Sequence, residues 1–223
     1  MFRTADMLEI FQQYRGDAIV VPGRGGRHWV HLSTKPNRDV PLGDPAMGGH
    51  AAFAFGLAMA QPDKKVIVFD SEGDLLMNLG VLPSIAEQAP KNFYHFVLDN
   101  ECYATTGGQP VPNAKNVAYD MIARGAGYPR AFAFEALEDF AKNIQAILDQ
   151  PGPVFVAMKV MPEISNNSHS PLMVTMTPFG YMAPRSKGMY ILQTYIEFLH
   201  SLSSAFPPTS TLYNIYIYRH ETR

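Results

Sequence analysis

The 223-residue chain contains one cysteine, Cys102, few charged residues and no long apolar run. A single cysteine excludes an internal disulfide and a zinc site built from paired cysteines. Lysine and arginine number 18 against 20 acidic residues, so no positive field draws the chain to nucleic acid or to anionic membrane. The longest apolar stretch, 51–60, is too short to span a bilayer, and residues 1–6 lack the apolar core of a signal peptide. We therefore expect a soluble cytoplasmic protein that binds neither nucleic acid nor membrane.

Segments with helical periodicity alternate with short, continuously apolar segments along residues 1–163. The predicted helices cover 4–15, 47–60, 75–89, 116–125 and 135–148, with a kink expected at Pro83. The predicted strands cover 17–21, 66–69, 93–98, 131–134 and 154–160. Strands separated by helices are typical of a parallel sheet with right-handed crossovers, and strands without polar alternation indicate a sheet covered on both faces. The sequence thus predicts an α/β fold, a doubly wound, predominantly parallel sheet with helices on both faces.

The composition changes after residue 163. Residues 165–223 contain only six charged side chains but six of the 11 tyrosines, and alanine, frequent before this point, occurs twice. We expect residues 1–163 to form one domain and residues 164–223 to form a C-terminal extension of unknown role. Within the extension, 165–184 is typical of a linker, 189–202 could form an apolar helix and 212–218 could form a strand.

A glycine-rich segment, 23–27, directly follows the first predicted strand and contains Arg24 and Arg27. Backbone N–H groups in such a segment can turn toward an anion, and the arginines would add positive charge. The spacing of the glycines fits neither a dinucleotide-binding fingerprint nor a Walker loop. Taken alone, the segment is better explained as a turn with two solvated arginines. A role in binding an anion would need support from residues at neighbouring strand ends.

Two further groups of polar residues follow predicted strands: 70–74 reads Asp-Ser-Glu-Gly-Asp and 99–102 reads Asp-Asn-Glu-Cys. Taken alone, the first group is explained by Asp74 capping the next helix. Glu72 and Asn100 are 28 positions apart, the length of one strand–helix–strand step. Adjacent parallel strands would therefore bring both side chains to the same edge of the sheet. A carboxylate and an amide oxygen beside a glycine-rich segment predict a Mg²⁺–diphosphate site.

The combined pattern resembles the diphosphate-binding domain of thiamine diphosphate-dependent enzymes. In that family Gly-Asp-Gly is followed, after about thirty residues, by Asn-Asn at a strand end, the span of one crossover. Residues 71–73, Ser-Glu-Gly, and 99–100, Asp-Asn, correspond to these two parts. The flanking segments match as well, and 46–52, 56–58 and 103–110 resemble the sulfopyruvate and phosphonopyruvate decarboxylase branch. The resemblance covers roughly residues 1–163.

The resemblance implies roles for individual residues in binding thiamine diphosphate and Mg²⁺. The implied metal ligands are Glu72 and Asn100 through their side chains and Cys102 through its carbonyl oxygen. Met47 would wedge the cofactor into a bent conformation, and Thr106, near the reactive thiazolium carbon, would be the catalytic residue. The other implied cofactor-binding residues are Gly25, Gly26, Pro45, Gly73, Asp74, Tyr103 and Ala104, with Asn100 and Cys102 serving cofactor and metal alike.

The resemblance also implies a 2-oxoacid decarboxylase, a carbon–carbon lyase, whose active site needs a second polypeptide. Thiamine enzymes require a glutamate on a pyrimidine-binding domain, and residues 164–223 are too few to form one. We therefore expect this chain to be the cofactor-binding subunit of a hetero-oligomer that also self-associates, with the pyrimidine-binding domain on a separate chain. The expected substrate is a small 2-oxoacid such as sulfopyruvate or phosphonopyruvate.

Two departures from the family pattern leave other functions open. Glu72 replaces the family aspartate and Ser71 replaces its first glycine, and the extra methylene moves the carboxylate by about 1.5 Å, one C–C bond. The loop could adjust, a less demanding ion could bind, or the metal site could be degenerate. The alternatives are a thiamine-dependent carboligase or lyase subunit, and a non-catalytic module that has lost its metal.

Overall fold

A computed structural model of the chain describes residues 1–42 and 47–164. The strands are β1 Ile19–Pro22, β2 Val66–Ser71, β3 Phe93–Asp99, β4 Cys102–Tyr103, β5 Gln109–Pro110, β6 Arg130–Phe134 and β7 Val154–Lys159. The helices are α1 Thr4–Tyr14, α2 Trp29–Leu32, α3 His50–Ala60, α4 Glu72–Leu76, α5 Val81–Gln88, α6 Tyr119–Gly125 and α7 Leu137–Asp149. Pro45 lies outside the described residues, as do the linker, helix and strand expected within 165–223.

The main sheet has the strand order β1-β2-β3-β7-β6, and each neighbouring pair is parallel. The register aligns Ser71 at the end of β2 with Leu98 of β3, and Asp99 at the end of β3 with Lys159 of β7. The carboxyl ends of the central strands therefore meet at one edge. β4 and β5 form a small antiparallel pair just beyond that edge. The predicted doubly wound α/β fold is confirmed.

Both faces of the sheet are covered, which explains why its strands are continuously apolar. Side chains along a strand alternate between faces, so each central strand supplies residues to two cores. Tyr94, Phe96 and Leu98 of β3 join the buried cluster formed with α1 and α7. Phe93 and Val97 of the same strand join the second cluster, formed with α3, α5 and α6.

The segment 75–89, predicted as one kinked helix, is divided between α4 and α5 with a break at 77–80. Gly80 occupies the N-cap position of α5, so Pro83 falls in the first turn of that helix. Backbone N–H groups there have no acceptor within the helix, so the missing N–H of proline costs little. The predicted kink at Pro83 was wrong because the helix ends before the proline and a new one begins.

The cap of α4 also differs from the one that the sequence suggested. Its N-cap residue is Ser71, whose Oγ accepts the backbone N–H of Asp74 at 3.3 Å. Asp74 lies inside the first turn, and its carboxylate is left for other contacts. None of the helices in the described residues combines the length and the apolar character that crossing a membrane requires.

Candidate active site

The segments that follow β1, β2, β3 and β7 line one cavity of about 300 Å³. Open α/β sheets bind ligands at this position, outside the carboxyl ends of their strands. Nine of the residues predicted for the site line the cavity: Gly25, Met47, Gly73, Asp74, Asn100, Cys102, Tyr103, Ala104 and Thr106. Two described members of the predicted set, Gly26 and Glu72, are not in the cavity wall, although both are close to it in sequence.

Glu72 lies behind the segment that connects β3 to β4. Its Oε1 accepts the backbone N–H of Cys102 at 3.0 Å, and the Oδ1 of Asn100 accepts the same N–H at 3.0 Å. The Glu72 side chain is fully buried, and burial raises the pKa of its carboxyl to about 7. Its Oε2 is buried and has no hydrogen-bond partner among the described residues. A cation beside this oxygen would compensate both features.

The three predicted metal ligands thus come together around Cys102. A carboxylate, an amide oxygen and a carbonyl are the hard oxygen donors that Mg²⁺ prefers. A second group, His50, Asp70 and Asp74, also has potential ligand atoms within 4.8 Å of one another. The residues of that second group already bind one another or their neighbours, so we consider the unpartnered oxygen of Glu72 the better sign of a cation site.

Two glycines at the cavity permit close approach of the backbone. A Cβ on Gly25 would lie 2.3 Å from the carbonyl oxygen of Asp70, and one on Gly73 would lie 2.9 Å from the ring of Tyr103. Neither site accepts a larger residue, because neighbouring protein atoms fill the space that a side chain would need. Gly26 differs, because its N–H donates to the Gly23 carbonyl at 2.9 Å and the residue is buried. Gly26 therefore shapes the turn rather than the cavity wall.

Charged side chains also line the cavity. Arg24 and Arg27 line it together with Glu163, which lies beyond the end of β7. The Oε2 of Glu163 is paired with Nη2 of Arg27 and lies 2.6 Å from Nε2 of His28. Burial alone would raise the pKa of Glu163, but its hydrogen bonds to Arg27 and His28 hold it below its ordinary value. The sequence analysis did not identify Glu163 as a site residue. Polar residues that follow the carboxyl ends of parallel strands are expected at such a site, and the same reasoning applied to β7 would have found Glu163.

A chain of buried polar side chains runs from the cavity into the core. Asp74 contacts His50 with 2.8 Å between Oδ2 and Nδ1, and Asp70 contacts His95 with 3.1 Å between Oδ2 and Nε2. Burial and the neighbouring Asp74 carboxylate raise the pKa of Asp70 well above its ordinary value. Burial lowers the pKa of His95 to about 3. Burial thus favours the neutral form of both side chains.

Two predicted site residues stand at the mouth of the cavity. Met47 is 54% exposed although it lines the cavity, so one side of its thioether faces solvent. Thr106 is exposed as well, and its Oγ1 is 3.3 Å from the Tyr103 carbonyl and 3.1 Å from Oε1 of Gln109. Both side chains are therefore placed to meet a ligand that extends out of the cavity.

Residues 26–158 match the thiamine pyrophosphate enzyme family, C-terminal thiamine pyrophosphate-binding domain. The matched range holds the segments that follow β2 and β3, and it begins within the segment that follows β1. The chain belongs to this family.

Two archaeal proteins, each named sulfopyruvate decarboxylase subunit beta, are among its relatives. The protein of Methanothermobacter thermautotrophicus is 33% identical over 148 residues, which is 66% of this chain and 75% of that protein. The protein of Methanocaldococcus jannaschii is 36% identical over 117 residues, which is 52% of this chain and 61% of that protein.

Longer relatives match over a smaller part of their length. Phosphonopyruvate decarboxylase of Streptomyces viridochromogenes is 31% identical over 162 residues, 72% of this chain but only 40% of that enzyme. Among solved structures, a thiamine diphosphate-dependent 4-hydroxybenzoylformate decarboxylase of Rhodococcus jostii RHA1 superposes with a TM-score of 0.60. It is 22% identical, and the alignment covers 73% of this chain and 33% of that one. The similarity to the solved structure bears on the fold alone.

Proposed function

We propose that this chain is the cofactor-binding subunit of a thiamine diphosphate- and Mg²⁺-dependent 2-oxoacid decarboxylase that acts on sulfopyruvate or phosphonopyruvate. The observation that carries the proposal is Glu72, a fully buried carboxylate with one oxygen unpartnered among the described residues, beside the cavity at the strand ends. The names of the relatives support the substrate class, since they are sulfopyruvate and phosphonopyruvate decarboxylases.

The residues of the cavity fit a metal-bound diphosphate. Glu72, Asn100 and the carbonyl of Cys102 would hold Mg²⁺, which commonly binds one or two carboxylates together with phosphate oxygens. Gly25 and Gly73 line the cavity without a side chain, so their backbone would be the part of each residue that meets a phosphate. The N–H of Asp74 already donates to Ser71 Oγ, so it is less available to a phosphate oxygen.

When bound, thiamine diphosphate supplies an electron sink that allows a 2-oxoacid to lose carbon dioxide. The chain's own contribution would be to orient and to exclude water. Met47 would hold the cofactor bent, and Thr106 would place its hydroxyl near the reacting carbon. Arg24 and Arg27 would stabilise the negative charge of the diphosphate.

A separate pyrimidine-domain subunit is part of the proposal. The acids near this edge are engaged: Lys159 lies 2.7 Å from Asp99 and 3.0 Å from Glu101, and Glu163 is paired with Arg27. Among the described residues, none of these three carboxylates is available to activate the pyrimidine ring. The designation "subunit beta" of two relatives supports a partner chain. The exposed Met47 would lie at the interface.

The test is release of carbon dioxide from sulfopyruvate and phosphonopyruvate in the presence of thiamine diphosphate and Mg²⁺. The full chain is assayed alone and then with the pyrimidine-domain polypeptide encoded beside it. We expect turnover only with both chains. Full turnover by the lone chain would overturn the two-subunit proposal. Ligation to an added aldehyde without net decarboxylation would identify a carboligase, and absence of cofactor binding would identify a non-catalytic module.

A further inference from the structure

We propose that Asp74, oriented by His50, is a positioning residue that fastens the turn at 47–49 to α4. The fastened turn would hold Met47 at the cavity wall before any cofactor arrives. The inference rests on the proposed function, because a wedge role for Met47 belongs to that proposal.

The turn is held through both polar groups of Gly48. The backbone N–H of Gly48 donates to Oδ1 of Asp74 at 2.7 Å. Its carbonyl oxygen accepts Nδ2 of Asn78 at 3.0 Å, from the turn that follows α4. The other oxygen of Asp74, Oδ2, lies 2.8 Å from Nδ1 of His50, the first residue of α3. Two side chains of the α4 region therefore hold the residue that follows Met47.

Close packing at the same place leaves the turn few alternatives. Gly48 has a φ of +74°, which other residues seldom adopt, and a Cβ added there would lie 3.1 Å from Cβ of Met77. Asp74 and His50 are both buried, which limits competition from water for the contact between them. A buried bond to an ionised acceptor is among the stronger hydrogen bonds in proteins.

Anion binding does not explain why a carboxylate stands here. Asp74 lines the same cavity as Arg24 and Arg27, where a negative charge repels a diphosphate. Both carboxylate oxygens already have partners in the protein, because Oδ1 accepts the Gly48 N–H and Oδ2 lies 2.8 Å from Nδ1 of His50. Holding the turn at 47–49 therefore explains the Asp74 carboxylate, whereas contact with an anionic ligand does not.

The test compares Asp74→Ala, which removes the tether, with Asp74→Asn, which keeps an acceptor for Gly48. His50→Ala provides a second way to release Asp74. Asn92→Ala is the matched structural control, because Asn92 Nδ2 donates to the carbonyls of Ala58, Gln61 and Lys64 away from this turn. Two measurements are made on each full-length variant: hydrogen exchange of the Gly48 amide without ligand, and affinity for thiamine diphosphate and for inorganic pyrophosphate, each with Mg²⁺.

In Asp74→Ala and His50→Ala we expect the Gly48 amide to exchange at least about tenfold faster, the effect of losing roughly one hydrogen bond. Affinity for pyrophosphate should be kept or improved, while the additional affinity for thiamine diphosphate falls. Asp74→Asn should restore the slow exchange of the Gly48 amide and the additional affinity for thiamine diphosphate. Asn92→Ala should leave the ratio of the two affinities unchanged. Unaltered Gly48 exchange in Asp74→Ala, or an equal loss for both ligands, would overturn the inference. If the wild-type chain bound neither ligand, the proposed function would fail, and Gly48 exchange would still decide the role of Asp74.

Discussion

Glu72 and Asn100 direct their side-chain oxygens at one and the same backbone N–H, that of Cys102, at 3.0 Å each. The shared donor brings the ends of β2 and β3 together at a single point. It also shows how the loop accommodates glutamate where the family pattern has aspartate. The longer side chain reaches the N–H of Cys102, so a hydrogen bond from the facing loop fixes the carboxylate.

Glu72→Asp is therefore expected to weaken Mg²⁺ binding rather than improve it. Shortening the side chain by one methylene withdraws the carboxylate by about 1.5 Å and breaks its bond to Cys102. The Cys102 N–H would still donate to the Asn100 oxygen, so folding should be largely preserved. Titration of the variant with Mg²⁺ in the presence of thiamine diphosphate measures the effect. Tighter binding than wild type would mean that the loop has not adapted to glutamate.

Met47→Ala is expected to reduce turnover more than it reduces cofactor affinity. The apolar wedge matters most on the reaction path, and misplacement of reacting groups can cost about tenfold or more. Met47→Leu should be nearly neutral because volume and apolarity are kept. The measurement is kcat and cofactor affinity in the two-subunit enzyme, with the exposed Met121→Ala as control. Normal turnover of Met47→Ala would show that Met47 does not act as a wedge.

Glu163→Gln is expected to tighten binding of inorganic pyrophosphate. The Glu163 carboxylate is paired with Arg27 and lines the cavity that we propose binds an anion. Removing one unit charge near the ligand gains about 1 kcal/mol in a watery environment, roughly fivefold in affinity. Calorimetry with pyrophosphate and Mg²⁺ measures the change, and the exposed Glu138→Gln on α7 is the control. Weaker binding by Glu163→Gln would show instead that Glu163 holds Arg27 in its working position.

The buried His95 should make the folded state less stable in acid. Its pKa is about 3 when folded, so only the unfolded chain takes up this proton as the pH falls below the ordinary value of 6.5. The stability that His95 contributes is present above that pH and is lost on acidification, by about 2 kcal/mol between pH 6.5 and 5. Urea unfolding at pH 7.5 and 5 should show a smaller loss in His95→Gln than in wild type.

The control for the pH experiment is His31→Gln, because the His31 side chain is exposed in the folded chain. It should lose stability on acidification as much as wild type does. A larger acid loss in His95→Gln than in wild type would mean that His95 is protonated in the folded chain and forms an ion pair with Asp70.

The fold and the proximity of Glu72 and Asn100 could be predicted because both follow from local pattern. Continuously apolar strands indicate a sheet covered on both faces, and the spacing of Glu72 and Asn100 equals one crossover. The identity of the cofactor came from the resemblance to a family, since spacing alone indicates only a metal-bound diphosphate. The helix break before Pro83 was missed because a proline in the first turn and one in a helix interior look alike in sequence.

The contacts that the sequence could not provide are those that join distant segments. The His50–Asp74 contact spans 24 residues and depends on the backbone of the turn at 47–49, which no periodicity encodes. Glu163 meets Arg27 across 136 residues, because β1 and β7 both end at the same edge of the sheet. Such pairs depend on strand order, which becomes known only when the sheet is assembled.

The most direct test of the central claim is calorimetric titration of the full chain with thiamine diphosphate, in the presence and absence of Mg²⁺. Asn100→Ala removes a proposed metal ligand, and Asn116→Ala is the matched control, an exposed residue whose amide donates to Asn113. We predict that binding requires Mg²⁺, that Asn100→Ala weakens it by about tenfold or more, and that Asn116→Ala leaves it unchanged. Cofactor binding that is indifferent to both Mg²⁺ and Asn100 would contradict the account.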